Sequence, residues 1–410
     1  MVTRVALYGN TANNLYQMAK LLREELGVDA HLFLSTRNRI HNQPESDDPE
    51  LKDNYPDWIH VGPYRTSLAQ YLPMFSPLIA DVADFDYIIG SQKAPALAPY
   101  LKPKFFFFVT GTDLTRVPFY GRCFRWYKSW PAKLASMVRV FWQRRGLRQV
   151  EEIWAQPFIP LTSAIEDIGL TTYNRSKYFP VVLDALKPSY ENIEPLLSEL
   201  KEKWDFTVFN PAQLLIEKTP DMVATGVWKN NIALLYGFAR FVEKTGAKRA
   251  AFLVVARGEN QRERDARQHF EQVAKELGVS DQLIFLQPPQ GQDIFTRAQV
   301  FALYEQCDVV GDDYGVGWFG SIVIEGLSMA KPVVSYVDED AMKEMYDDHP
   351  IVNVREHDDI GDALVKLYED PVYRLKVGQA GKKWYQEHHS PQGARKRYLK
   401  NLEFLKSDDE

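Results

Sequence analysis

The chain has 410 residues, a net charge of −6, 45% hydrophobic residues and 25% charged residues. Because a domain averages about 150 residues, this length predicts two or three domains, and we expect two. The composition is that of a globular protein, and the negative charge argues against nucleic acid as the main partner.

Cys123 and Cys307 are the only cysteines. They are too few for a disulfide framework and lack metal-site spacing, which indicates free thiols in a reducing compartment. No signal-peptide pattern precedes the first predicted strand, so we expect a cytoplasmic protein. The most apolar runs are the length of a strand, far short of the roughly 20 residues that span a bilayer.

Predicted strands and helices alternate through the first half of the chain. Strands are predicted at 5–8, 31–34, 87–89, 105–109 and 153–155, and a helix at 14–26. This alternation predicts a parallel sheet covered by helices. The polar stretch 184–198 is predicted to cross between domains.

The second half repeats the scheme. Strands are predicted at 207–209, 251–256, 283–286, 309–310 and 333–337, with helices at 231–245 and 263–277. The sequence therefore predicts two doubly wound α/β domains, which bind ligands at the carboxyl ends of their strands. The last segment, 370–406, is predicted to be helical. Its apolar anchors are Trp384, Tyr385, Tyr398, Leu402 and Leu405.

The most informative stretch runs from 311 to 334. Its first ten residues hold four glycines, two carboxylates and three aromatic residues, so the backbone there can approach a ligand closely. Ser321 is predicted to cap a helix, whose first-turn N–H groups at Gly320, Ser321 and Ile322 suit a diphosphate. Glu325, one turn further, could accept two hydroxyls, and Lys331 with the following proline is predicted to stop the helix. The alternative is an ordinary structural unit in which Glu325 is solvated.

Two loops of the first half carry further candidates. Gly9 and Asn10 follow the first strand, where a nucleotide fold places its phosphate turn. A single glycine disfavours a dinucleotide fingerprint and hence NAD, and the asparagines of this turn could instead cap the helix. Asp113 follows the strand at 105–109 and is a candidate catalytic group, with turn formation as the alternative.

Lys229 and Arg257 are candidate phosphate cations, because each lies in a loop next to a predicted element; both could equally be solvated surface charges. The sequence contains no zinc-binding pattern, no Walker-type loop and no nucleophile elbow. A metal-based or covalent serine mechanism therefore has no support, and we expect no metal and no cofactor.

The segment 114–150 contains no Asp or Glu. Its basic residues are Arg116, Arg122, Arg125, Lys128, Lys133, Arg139, Arg144, Arg145 and Arg148, and aromatic residues are interleaved with them. A helix is predicted from Pro131 to Gly146, with Leu134, Val138, Phe141 and Trp142 on one face. This pattern suits peripheral contact with an anionic membrane through 116–148, at the inner face of the membrane. The alternative is a surface helix whose apolar face belongs to the core.

Several of these motifs, in order along the chain, resemble those of family 4 glycosyltransferases. The similar stretches are 319–334, the Thr-Gly-Thr-Asp-Leu loop at 110–114, and Phe-Asn-Pro at 209–211 with the later Lys-Asn-Asn at 229–231. The resemblance implies the GT-B fold of two facing Rossmann-like domains. It implies domains at 1–187 for the acceptor and 188–385 for the nucleotide-sugar donor, and a C-terminal helix at 386–410 that returns to the first domain.

The resemblance also implies a function and residue roles. The function is that of a retaining, metal-independent hexosyltransferase acting on a nucleoside diphosphate sugar, with a glycan or lipid-linked acceptor. Glu325 is expected to hold the ribose hydroxyls, Lys229 the diphosphate, and Asp113 the acceptor or the reacting sugar. The first domain's Gly9 and Asn10 are expected to line the phosphate side.

The chain departs from the family pattern in three places. Thr110 stands where the family often has a histidine, and the basic residue usually paired with the lysine is replaced near Ala212 and Gln213. The family has a second glutamate eight residues before Glu325, where this chain has Gly317, and Asp312 or Asp313 is the candidate substitute. Two alternative functions follow: a non-catalytic protein that binds sugar nucleotides or glycans, and a nucleotide-sugar epimerase.

Overall fold

The computed structural model describes residues 2–36, 42–52, 54–64, 68–69, 71–120, 122, 129–184, 186–214, 218–256 and 261–405. The chain divides into two compact units. The first unit comprises Met1–Asp184, Ala224–Gly226 and Ala394–Glu410, and the second comprises Ala185–Val223 and Val227–Gly393.

The first unit contains a six-stranded parallel sheet. Its strands are β1 (Arg4–Tyr8), β2 (Asp29–Ser35), β3 (Ile59–Gly62), β4 (Tyr87–Gly90), β5 (Lys104–Phe108) and β6 (Glu152–Trp154). Their order in the sheet is β3-β2-β1-β4-β5-β6. This is the order of a Rossmann-type sheet, whose connections change direction between β1 and β4.

Helices alternate with these strands along the chain. They are α1 (Asn14–Leu26), α2 (Leu78–Asp81), α3 (Thr112–Thr115), α4 (Trp130–Leu147) and α5 (Ile159–Ile168). Short 3-10 helices occupy Pro44–Ser46, Pro49–Leu51, Pro73–Phe75 and Ala94–Tyr100. The core includes Leu7, Leu22, Ile89 and Trp154.

The second unit repeats the architecture. Its strands are β7 (Phe206–Asn210), β8 (Ala250–Val255), β9 (Leu283–Leu286), β10 (Val309–Gly311), β11 (Val333–Ser335) and β12 (Val352–Asn353). The sheet order β12-β11-β10-β7-β8-β9 is the same Rossmann-type order, and the change of direction lies between β7 and β10. The two predicted doubly wound sheets are therefore confirmed.

The helices from residue 194 to residue 388 are α6 (Glu194–Lys203), α7 (Pro220–Ala224), α8 (Ile232–Thr245), α9 (Gln261–Glu276), α10 (Arg297–Gln306), α11 (Ser321–Ser328), α12 (Glu339–Met345), α13 (His357–Glu369) and α14 (Pro371–His388). A 3-10 turn occupies Ser280–Gln282. The core of the second unit centres on Phe206, Val208, Phe238 and Phe252, which are fully buried.

The C-terminal segment returns to the first unit, as expected. After α14, helix α15 (Pro391–Asn401) and a 3-10 turn (Glu403–Leu405) follow, and Tyr398, Leu402 and Leu405 join the core of the first unit. The Tyr398 hydroxyl donates to the carbonyl of Pro180 over 3.1 Å. All five predicted apolar anchors of this segment are buried.

Three details differ from the sequence predictions. The edge strands β3 and β12 were not predicted, because each has only one or two apolar residues. Helix α11 ends at Ser328, before Lys331, and its cap is Gly320 instead of Ser321. Ala330, with φ 56°, takes the left-handed turn that ends this helical segment.

Candidate functional site

The first unit places a glycine turn where its sheet changes direction. Gly9 follows β1 with φ 97°, and a Cβ there would lie 2.5 Å from the carbonyl oxygen of Ser91, which follows β4. The Ser91 hydroxyl donates to the Gly9 carbonyl. This close approach requires glycine. The contact and the hydrogen bond hold the carboxyl ends of β1 and β4 together.

Asn10 is buried beside this turn, and its side chain is fully engaged within the first unit. Its Oδ1 accepts the backbone N–H groups of Leu15 and Tyr16 at 3.2 and 3.1 Å. Its Nδ2 donates to Asn13 Oδ1 at 2.7 Å and to the Asn42 carbonyl at 2.9 Å. These bonds fix the start of α1, so the amide of Asn10 shapes the turn, and contact with a phosphate stays a prediction.

Asp113 is the second candidate in this unit. Its carboxylate accepts the backbone N–H and the hydroxyl of Thr110 at 3.0 Å, and the backbone N–H of Gln92 at 3.1 Å. Burial raises the pKa of Asp113 to about 6, while the hydrogen bonds from Thr110 and Gln92 act to lower it. The buried carboxylate thus ties the loop after β5 to the loop after β4.

The second unit places a lysine–aspartate pair at the corresponding point of its sheet. Lys229 Nζ lies 2.7 Å from Asp312 Oδ1, just beyond the carboxyl end of β10. The Lys229 carbonyl accepts the N–H of Tyr314 at 2.8 Å, and a Cβ on Gly315 would lie 2.3 Å from the Trp228 carbonyl. The backbone on both sides of the ion pair is therefore fixed by close packing.

Several buried polar atoms beside this pair have no protein partner among the described residues. They are Asp312 Oδ2, Asn231 Oδ1 and Asn210 Nδ2. The register pairs Phe209 with Val310, so Asn210 ends β7 and Asp312 follows the neighbouring strand β10. Asn231 Nδ2 donates to the Asp312 carbonyl at 3.2 Å. Because an unpaired buried polar atom costs about 1–3 kcal/mol, such a set is typical of a site that a ligand or solvent completes.

Asp313 has a different environment from Asp312. Its Oδ1 accepts the N–H groups of Gly315 and Val316, each at 2.8 Å. Burial raises the pKa of Asp313, and the neighbouring Lys229 ammonium opposes this shift. Asp313 therefore holds the glycine-rich loop in shape, while Asp312 faces the lysine.

The start of α11 has no side-chain cap. Gly320 occupies the cap position in an extended conformation, and the first turn contains no acidic residue. Ser321, which was expected to cap this helix, is exposed as its first residue, and Ile322 is half-buried. The first-turn N–H groups lie at the positive end of the helix dipole, as a diphosphate site requires.

Glu325 lies one turn into α11 and is only 8% exposed. The Arg297 Nη2 donates to Glu325 Oε1 at 3.0 Å, and the Tyr304 hydroxyl donates to Oε2 at 3.0 Å. Burial and the neighbouring Glu325 carboxylate raise the pKa of Tyr304 well above its usual value. A carboxylate has further lone pairs, so it can still accept ligand hydroxyls.

Arg297 and Tyr304 were not predicted from the sequence. Thr296 and Gln299 form a capping box at the start of α10, a pattern that the sequence shows. That pattern places Arg297 in the first turn of a helix, but its contact with Glu325 depends on the packing of α10 against α11.

Gly317 stands where the family has its second glutamate. Its φ is 78°, and a Cβ would lie 3.0 Å from the Tyr336 ring. A glutamate at this position would be strained, because side-chain-bearing residues rarely adopt this conformation.

Arg257 lies outside the described residues, as do parts of the basic segment at 121 and 123–128. Within the described part of the chain, no helix is long and apolar enough to span a membrane.

Comparisons with known proteins show which proteins share this architecture. No protein-family model matches the chain. A curated D-inositol 3-phosphate glycosyltransferase from Stackebrandtia nassauensis is 32% identical over 127 residues. That match covers 30% of this chain and 27% of the relative, so it spans about a quarter of the relative's length.

Solved structures match over nearly the whole length. Anabaena HepE, solved in complex with UDP-glucose, has a TM-score of 0.64 at 17% identity and covers 98% of this chain and 99% of its own. Sucrose-phosphate synthase from Thermosynechococcus elongatus has a TM-score of 0.61 at 14% identity, with 98% and 99% covered. The structural neighbours are GT-B glycosyltransferases, and the chain has the GT-B fold.

Proposed function

We propose that this protein is a glycosyltransferase that takes a sugar from a nucleoside diphosphate donor bound by its second unit. The observation that carries this proposal is the polar cluster at the ends of β7 and β10. There a lysine is held in place beside a buried aspartate, and three buried polar atoms lack a protein partner among the described residues. The fold shared with HepE, whose structure contains UDP-glucose, supports the same function.

In this proposal Lys229, the start of α11 and Glu325 have separate roles. Lys229 contacts the diphosphate, and the first-turn N–H groups at Ser321 and Ile322 receive negative charge as the diphosphate departs. Glu325, held by Arg297, accepts the ribose hydroxyls. Preorganised donors of this kind stabilise developing charge without rearranging during the reaction.

The stereochemistry, the metal requirement and the acceptor are finer parts of the proposal. We assign a retaining, metal-independent reaction, because the resemblance of the sequence implies it and Lys229 with α11 supplies positive charge for the leaving group. The acceptor is a glycan or a lipid-linked glycan and belongs to the first unit, where Asp113 fixes the loops after β4 and β5. The protein is assigned to the cytoplasm.

A panel of nucleoside diphosphate sugars tests the proposal. Titration calorimetry measures binding, and chromatography of the products measures release of the nucleoside diphosphate with and without glycan acceptors. We expect one donor class to bind and to be turned over in the presence of a chelator. NMR of the product should show that the anomeric configuration of the donor sugar is retained. Lys229→Ala is the matched variant, and unchanged binding in it contradicts the assignment of the site.

One alternative has an observation in its favour. Gly317 removes the second glutamate of the family motif, which fits a protein that binds a nucleotide sugar without transferring it. The same panel separates the two functions, because binding with no product under any acceptor condition supports the non-catalytic protein. Conversion of the donor into an isomer without acceptor identifies an epimerase.

A further inference from the structure

Helix α4, from the basic segment, buries one side within the first unit. Its buried residues are Ser136, Val140, Gln143, Gly146 and Leu147. A Cβ on Gly146 would lie 1.6 Å from the carbonyl oxygen of Pro95, so the helix backbone lies directly against the 3-10 helix at Ala94–Tyr100. Close backbone packing at Gly146 therefore fixes which side of the helix is buried, with Val140 and Leu147 as the apolar residues of that side.

The outward side of α4 carries four further apolar residues. Trp130 is 76% exposed, Leu134 57%, Met137 40% and Phe141 50%. At 3.6 residues per turn these four positions fall within about 60° of arc, and we call this row the apolar stripe. Of the four residues predicted to share one face, Leu134 and Phe141 belong to this exposed stripe, whereas Val138 and Trp142 are half-buried beside it.

Cations flank the apolar stripe on both sides. Lys133 and Arg145 are exposed and lie on either side of it along the helix surface. The stretch 129–150 holds five Lys or Arg residues and no acid, in a chain whose net charge is −6. The local charge is therefore opposite to the overall charge, which makes this surface selective for an anionic partner.

A neighbouring segment extends the same surface. Trp142 Nε1 donates to the Tyr71 carbonyl at 2.8 Å, and the Arg139 guanidinium lies 5.6 Å from the centre of the Tyr71 ring. Beyond Tyr71, Phe75 is 59% exposed and Met74 is also exposed. Exposed apolar residues on two segments that contact each other are typical of an interaction surface in a globular protein.

We propose that the apolar stripe docks this protein on an anionic lipid bilayer. Trp130, Leu134 and Phe141 enter the boundary between headgroups and acyl chains, while Lys133 and Arg145 meet the lipid phosphates. A basic helix with one apolar face binds membranes in this way. A second copy of the chain fits less well, because two identical stripes facing each other would bring their cations together.

Vesicle co-sedimentation of the full chain tests this proposal without any nucleotide sugar, so its outcome is independent of the proposed function. The vesicles are pure phosphatidylcholine, or equimolar phosphatidylcholine and phosphatidylglycerol. The stripe variant is Trp130→Ser with Phe141→Ser. The matched control is Val372→Ser with Leu375→Ser, which removes two residues that are 78% and 63% exposed on α14 in the second unit.

We expect the native protein to bind the anionic vesicles and not the pure phosphatidylcholine vesicles. The stripe variant should bind at least about tenfold more weakly, since it loses two large apolar side chains, while the control binds like the native protein. Lys133→Gln with Arg145→Gln should weaken binding by about fivefold for each cation removed. Circular dichroism confirms that each variant is folded.

Three results would overturn the proposal. The first is absence of the native protein from the anionic vesicle pellet. The second is equal binding by the stripe variant and the control. The third is a dimer, measured by light scattering, that the stripe variant loses while vesicles remain unbound, because the stripe would then join two copies of the chain.

Discussion

The two units have the same strand order, but the polar residues near the carboxyl ends of their central strands differ in hydrogen bonding. In the first unit, the side chains of Asn10, Ser91 and Asp113 all have hydrogen-bond partners within the unit. In the second unit, Asp312 and Asn231 each keep one buried polar atom without a partner among the described residues. With the same topology, the polar side chains at the strand ends are hydrogen-bonded within the first unit, whereas those of the second unit leave some buried atoms without a described partner.

The difference between the two polar clusters is consistent with different roles for the two units. A satisfied polar network fixes loop geometry, because breaking any bond leaves a buried group unpaired. An incomplete cluster costs about 1–3 kcal/mol for each unpaired group until a ligand or solvent supplies the missing partner. We infer that the first unit uses its polar residues for shape and the second uses them for binding.

The largest expected effect comes from removing the cation of the second unit. Lys229→Ala leaves the buried Asp312 carboxylate without its counter-charge, which should lower the free energy of unfolding by about 3–5 kcal/mol. Lys229 is itself partly exposed, so the lower end of this range is expected. Urea unfolding measures the change in stability.

A double variant separates stability from binding at the same pair. Lys229→Ala with Asp312→Asn removes both charges and should recover most of the lost stability. It should still bind a nucleoside diphosphate about 10- to 150-fold more weakly than the native protein, because the phosphate contact is gone. Recovery of full binding in the double variant would show that the pair acts only on structure.

The next effect is a pH dependence in the first unit. The pKa of Asp113 is about 6 in the folded protein against 3.8 for an unperturbed Asp, so folding favours its protonated form. The free energy of unfolding should therefore fall by about 3 kcal/mol at most as pH rises from about 4 through about 6, and then level off.

The control for this pH dependence is Asp113→Asn, which retains an acceptor oxygen but cannot ionise. The stability of this variant relative to the native protein should increase over the same pH interval and then stay constant. Urea unfolding at a series of pH values measures the difference, and a difference independent of pH would contradict burial of an ionisable Asp113.

A smaller effect is expected at Glu325. Glu325→Ala should weaken binding of a nucleoside diphosphate by about 1–3 kcal/mol if the carboxylate accepts ribose hydroxyls. Arg297→Met removes the ion pair but leaves the carboxylate in place, so it should weaken binding less. Calorimetric dissociation constants of the two variants decide the role, since equal losses would assign Glu325 to packing of α10 against α11.

The sequence predicts the central strands well, because a strand that is buried on both faces is a continuous apolar run. Ala250–Val255 is an example, since all six residues are buried and each observed bound lies one residue from the prediction of 251–256. The edge strands β3 and β12 lack this signal, because β3 reads Ile-His-Val-Gly and β12 has two residues. Their pairing depends on a neighbouring strand and cannot be inferred from their own residues.

The candidate site shows a similar limit. Lys229 and Glu325 were identified from their positions along the chain, whereas their partners Asp312 and Arg297 are 83 and 28 residues away. Helix α4 shows a further limit, because apolar periodicity reveals a face but not its direction. Close backbone packing at Gly146 decides that direction, and no local pattern encodes it.

The smallest expected effect concerns the glycines that follow the central strands. Gly317 has φ 78°, and a Cβ added there would lie 3.0 Å from the Tyr336 ring. Gly317→Ala should therefore lower the free energy of unfolding by about 1 kcal/mol. Gly320→Ala is the matched control, since its φ is not left-handed and no atom lies within 4 Å of the added Cβ. Thermal unfolding should therefore distinguish the two variants.

Gly317→Glu should carry the same strain and fail to raise donor turnover, because the loop backbone has changed together with the side chain. A rise in turnover would instead show that the second unit still accommodates the glutamate of the family motif.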